Sequence, residues 1–70
     1  MTTEQMHTIG KLAAHYGRYP ALKTVWTEYG DNSVQFQAYY LVPVDENDDE
    51  GTFPESQWHW IQPDGSDSIA

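Results

Sequence analysis

Carboxylates are the reactive side chains that dominate this chain of 70 residues: 11 Asp and Glu stand against 3 Lys and Arg, with 3 His and no Cys. The densest run is Asp45-Glu46-Asn47-Asp48-Asp49-Glu50, followed by Gly51. Alternation of Glu46, Asp48 and Glu50 ahead of a glycine has the form of the first ligands of a calcium loop. The rest of that pattern is missing. Such a loop opens on aspartate and closes on a bidentate glutamate at its twelfth position, where this chain has Glu46 and Gln57. Zinc is no better served, because His7 and His15 would lie about 12 Å apart along a helix axis, too far to share one ion. His7, His15 and His59 are therefore expected at the surface, and neither a metal nor another cofactor is implied.

Catalysis has little to work with. The sequence lacks a cysteine nucleophile, a glycine-rich phosphate loop and a Gly-x-Ser-x-Gly turn. General acid or base work requires a carboxyl group in a cleft that tunes its pKa, and a wet acidic run does not provide one. No enzyme is expected. Trp58 and Trp60, with Tyr39, have the chemistry to stack on a sugar or a base. A chain this short has few large residues for a core, so tryptophans at period two are expected to face inward.

The charge is distributed unevenly. Residues 1–30 carry Glu4 and Glu28 against Lys11, Arg18 and Lys23, a net of +1, whereas residues 31–70 carry nine carboxylates and no base; +1 and −9 give the net −8. Such a field repels nucleic acid and anionic membranes and favours basic protein surfaces. The expected function is that of a small acidic inhibitor or regulator that docks on a basic, nucleic-acid-binding surface of a partner protein, as a DNA mimic does. Asp31, Asp45, Glu46, Asp48, Asp49, Glu50 and Glu55 are expected along one side of the sheet, with Tyr39 and Leu41 as apolar anchors. Small acidic phage inhibitors of host defence or DNA-repair enzymes have a similar size and charge. Glu55-Ser56 resembles the start of the Glu-Ser-Ile strand motif of uracil-DNA glycosylase inhibitors, with Gln57 in place of the isoleucine; two residues assign no family. The alternative is an assembly subunit that binds its partner through apolar sheet surface, with acidity serving solubility.

The elements that must position these groups follow from periodicity. Thr2 and Gln5 form a capping-box pair, and Met6, Ile9, Ala13 and Tyr16, flanked by Leu12, make the apolar stripe of a helix that ends at Gly17. Gly10 inside it is expected to mark close packing of another element. Thr24-Val25-Trp26-Thr27 has strand composition, and the loop Gly30-Asp31-Asn32-Ser33 leads into a second strand, where Val34, Phe36, Ala38, Tyr40 and Val42 alternate with polar neighbours until Pro43. Residues 45–51 are expected to be a solvated loop. Gln57 to Ile61 form a third strand ended by Pro63. The fold expected is α+β, with one N-terminal helix on a three-stranded antiparallel sheet; two helices and a two-stranded hairpin are the alternative. Residues 1–63 make one small acidic domain and 64–70 a flexible tail. A domain of this size without disulfides is marginal, which makes a partner or a homodimer mate attractive. Lack of cysteine, of a secretory leader and of an apolar span point to the cytoplasm.

Overall fold

Thr2 starts the first element as its side-chain chemistry requires. In the computed structural model, which describes residues 1–45 and 48–70 and the side chains outside 45–50, helix α1 spans Thr3–Tyr16. The Thr2 hydroxyl accepts from the Gln5 amide at 3.1 Å, and the Gln5 side chain accepts from the Thr2 amide at 2.8 Å, satisfying two donors of the free first turn. Gly17 caps the other end with right-handed backbone, and the chain reverses later, where Ala21 adopts φ 57. No described helix is long and apolar enough to cross a membrane.

Strands β1 (Lys23–Glu28), β2 (Val34–Asp45), β3 (Asp48–Ile61) and β4 (Asp67–Ile69) form one antiparallel sheet in the order β1-β2-β3-β4. The single helix on an antiparallel sheet matches the α+β expectation, and residues 23–28 are strand and not helix. The strand count differs by one, because residues 67–69, within the segment expected to be a tail, pair with His59–Ile61.

Antiparallel partners share a face, so the register Val34↔Ile61 and Phe36↔His59 decides what points inward. Phe36, Ile61 and Ala38 are fully buried, with Val34 and Tyr40, beneath Tyr16 of α1; Ile9 and Leu12 complete the cover. This register corrects the expected orientation of the third strand. His59 and Ile61 face the core, while Trp58, 42% exposed, and Trp60 lie on the outer face. Of the helix stripe, Tyr16, Ile9 and Leu12 face the core as expected, whereas Met6 is 61% exposed and the polar Gln5 and Thr8 are buried. A Cβ at Gly10 would meet nothing within 4 Å, so this glycine marks no close packing.

Beyond the start of β1, opposite Tyr39, strands β2 and β3 continue as a two-stranded arm through Leu41↔Pro54 and Val42↔Phe53 to Asp45↔Asp48. The expected acidic loop is thus largely strand: Asp45 ends β2, Asp48–Gly51 begin β3, and Glu46 and Asn47 lie outside the described residues. Pro43 sits inside β2, not at its end, beside a register shift between Pro43 and Asp45. A ribbon of two strands has free edges on both sides, where a residue without an N–H is tolerated. The arm stretches the molecule to 43 × 17 × 16 Å with a radius of gyration of 13.8 Å. A compact chain of this length would have about 11 Å.

Candidate functional site

Two hairpin turns of the same design lie side by side at the end away from the arm. In the first, Tyr29 N–H donates to the Ser33 carbonyl at 2.9 Å around Gly30-Asp31-Asn32, with Asn32 at φ 69. In the second, Gln62 N–H donates to the Ser66 carbonyl at 2.8 Å around Pro63-Asp64-Gly65, with Gly65 at φ 89. Three-residue hairpin loops place their last residue in the left-handed region, which Asn and Gly enter at least cost. Each turn also holds a carboxylate. Asp31 Oδ1 accepts from the Ser33 amide at 3.0 Å and the Ser33 hydroxyl at 2.6 Å; Asp64 Oδ1 accepts from the Ser66 amide at 2.9 Å and the Ser66 hydroxyl at 2.7 Å. Those bonds favour the ionised forms and hold both carboxyl groups below the ordinary carboxylate range. The two charges are exposed yet fixed in direction.

Helix α1 ties these turns together. The Gln5 side chain, wholly buried, donates to the Asn32 carbonyl at 2.7 Å and to the Ile61 carbonyl at 3.2 Å. Thr2 and Thr8 hydroxyls donate to the carbonyls of Pro63 and Gly65. Gly65 is needed for more than its φ, since a Cβ there would come within 2.9 Å of Glu4 Cβ.

The outer sheet face carries aromatic and amide groups. Gln35, Gln37, Tyr39 and Leu41 of β2 lie opposite Trp60, Trp58, Ser56 and Pro54 of β3, and no carboxylate occupies these positions. Tyr29 donates to Gln35 Oε1 at 3.4 Å, Gln37 donates to the same oxygen at 2.9 Å, and Tyr39 donates to Gln37. Two open grooves border this face. One, of about 520 Å³, is lined by Tyr29, Gly30, Asp31, Ser33, Trp60 and Gln62. The other, of about 300 Å³, lies at the root of the arm and is lined mainly by apolar atoms of Ala21, Tyr39, Leu41 and Pro54, with Lys23, Tyr40 and Glu55.

Of the residues singled out in the sequence, Tyr39, Leu41 and Glu55 therefore meet at the arm-root groove. Asp31 is at the opposite end. Asp45, Asp48, Asp49 and Glu50 lie on the arm by their backbone, and Glu46 falls outside the described residues. The carboxylates are thus divided between the two ends instead of following one side of the sheet. Asp64 and Tyr29 belong to the turn end and were not singled out for binding; Trp60, weighed as a stacking group but expected in the core, lies there too. A signal for the first existed: Asp31-Asn32-Ser33 and Asp64-Gly65-Ser66 repeat one Asp-x-Ser pattern, with a left-handed-tolerant residue in the middle.

One further polar chain has the order of a nucleophile, a base and an orienting acid. The Tyr16 hydroxyl lies 2.6 Å from His59 Nε2, and His59 Nδ1 lies 3.0 Å from Asp67 Oδ2. A carboxylate only accepts, so His59 Nδ1–H donates to Asp67, and Nε2 is left to bond with the Tyr16 hydroxyl. Tyr16 and His59 are each 6% exposed, which makes the chain a cross-link between α1, β3 and β4. It also corrects the expectation that His59 is a surface residue. Among the described residues, no group of three His, Cys, Asp or Glu is placed to hold a metal ion. No protein-family model matches the chain, and neither a curated protein nor a solved structure matches it.

Proposed function

We propose that this protein is a binding module that docks on a basic, nucleic-acid-binding surface of a partner protein and competes there with the nucleic acid. The observation that carries this reading is the pair of serine-held carboxylates, Asp31 and Asp64, in a chain half that contains no Lys or Arg. A substitute for phosphates needs charges fixed in space, and these two are held by backbone as well as side chain. The carboxylate-free outer face supplies what charge leaves loose. Stable interfaces combine an apolar, aromatic-rich centre with a polar rim, and Trp58, Trp60 and Tyr39 stand between the acidic turns and the acidic arm.

The test is co-purification from bacterial lysate treated with nuclease, followed by affinity measurements on the purified partner across ionic strengths. Affinity should fall steeply with salt, and duplex DNA should displace the protein. Paired Asp31→Asn and Asp64→Asn changes keep the turn acceptors and remove the charge, so they should weaken binding, as should Asp48→Lys with Asp49→Lys. Association indifferent to salt, to DNA and to all four changes would overturn the proposal.

The apolar arm-root groove favours a second reading, an assembly subunit held through Tyr39, Leu41 and Pro54. In that case Leu41→Ala would abolish association and the charge changes would do nothing.

A further inference from the structure

The groove between the two turns joins an aromatic floor to an anionic wall. Tyr29 and Trp60 meet with ring centroids 5.3 Å apart at 51°, and Tyr29 is 43% exposed with Trp60 partly buried, so ring surface of both remains open. Asp31 is the wall. Its Oδ1 takes both bonds from Ser33, and among the described residues nothing donates to Oδ2 and no cation pairs with the group. Gly30 leaves that side of the groove without a side chain.

We infer that this groove receives an arginine side chain of the basic partner, with the guanidinium lying against Tyr29 and Trp60 and paired with Asp31. The inference rests on the proposed docking function and names the contact at its centre. A guanidinium suits all three groups at once: it is planar and weakly hydrated, it stacks on aromatic faces, and its fork of N–H donors matches a carboxylate. A lysine ammonium pairs with Asp31 but cannot stack as a plane. A neutral sugar can stack on the rings and donate a hydroxyl to the carboxylate, but it brings no positive charge to pair with Asp31. The groove is open, which suits a side chain projecting from a large partner better than a free small molecule needing enclosure. The net charge of −8 raises the local concentration of cations around it.

The experiment needs no partner. The full chain, labelled with nitrogen-15, is titrated with N-acetyl-arginine methylamide, its citrulline counterpart and methyl glucoside, following the Trp60 indole N–H and the Gly30 amide. The arginine compound should produce saturable shifts at both signals, with the neutral citrulline compound roughly tenfold weaker. Asp31→Asn, whose amide oxygen can still accept from Ser33, should keep the rest of the spectrum and abolish the preference. Equal responses to arginine and citrulline, an unchanged preference in Asp31→Asn, a response to the glucoside instead, or no saturable shift by roughly 100 mM would each overturn the inference. Arginine binding combined with salt-independent partner association would sink the docking function and leave this site standing. The reverse pattern would remove only the arginine site.

Discussion

At the turn end of the molecule side chains cross-link helix, turns and strands, whereas along the arm β2 and β3 pair with each other and, among the described residues, only the Leu41 amide reaches outside them, to the Pro20 carbonyl. Gln5 alone links α1, the β1–β2 turn and β3, and Tyr16, His59 and Asp67 link α1, β3 and β4. The arm leaves Val44 65% and Phe53 42% exposed, with no helix over them. Burial and hydrogen bonding therefore concentrate the folding energy at one end.

That contrast is open to direct attack. The largest expected effect is Phe36→Ala, which should cost about 3–5 kcal/mol because it empties a fully buried site, while Phe53→Ala on the arm should stay within about 1 kcal/mol. Urea unfolding of the two variants measures both, and equal losses would break the comparison. Next is Gln5→Leu. It keeps approximate volume but strips donors from the Asn32 and Ile61 carbonyls, so a loss of about 2–3 kcal/mol is expected, together with faster amide exchange in both turns.

Two glycines sharpen the picture in opposite directions. Gly65→Ala meets Glu4 and a left-handed backbone, and should destabilise by about 1–3 kcal/mol. Gly10→Ala meets nothing and should stabilise the helix by about 1 kcal/mol. Thermal melting separates the two signs.

The smallest effects are those of pH. Asp31 and Asp64 have depressed pKa values in the folded state, so their contribution is complete above the unfolded value of about 4 and is lost as pH falls through the folded values. Burial raises the Tyr16 and Tyr40 phenols. Their contribution is complete below about pH 10 and is lost as pH rises past it. Asn at positions 31 and 64 should flatten the part of the acid limb that these groups cause and leave the alkaline limb alone, as read from melting temperature against pH.

Local signals made much of the scaffold legible. The Thr2–Gln5 cap, the alternation of Val34 to Val42 and the Gly30-Asp31-Asn32 turn are each written in a few adjacent residues, because caps, pleats and turns are short-range physics. The candidate site was far less legible. Trp58 and Trp60 read as core because they are large, and only pairing with β2 shows that His59 and Ile61 take the inner face. A slip of one residue exchanges the faces of a strand, and nothing within Gln57-Trp58-His59-Trp60-Ile61 fixes that choice. His59 can be buried because Tyr16 and Asp67, distant in sequence, satisfy both of its nitrogens.

The acidic run misled in the same way. Neighbouring carboxylates argue for a loop, yet the ladder continuing from the covered sheet carries Asp45 and Asp48 into strand pairing. Sequence by itself determined the charge imbalance, the helix with its cap, the central strand and the turn chemistry, since each depends on residue type or on neighbours within a few positions. Tertiary structure alone decided which strand face is covered, which residues share a groove and that the acidic groups divide between two ends. Those properties depend on long-range register, and register is set by the whole sheet at once.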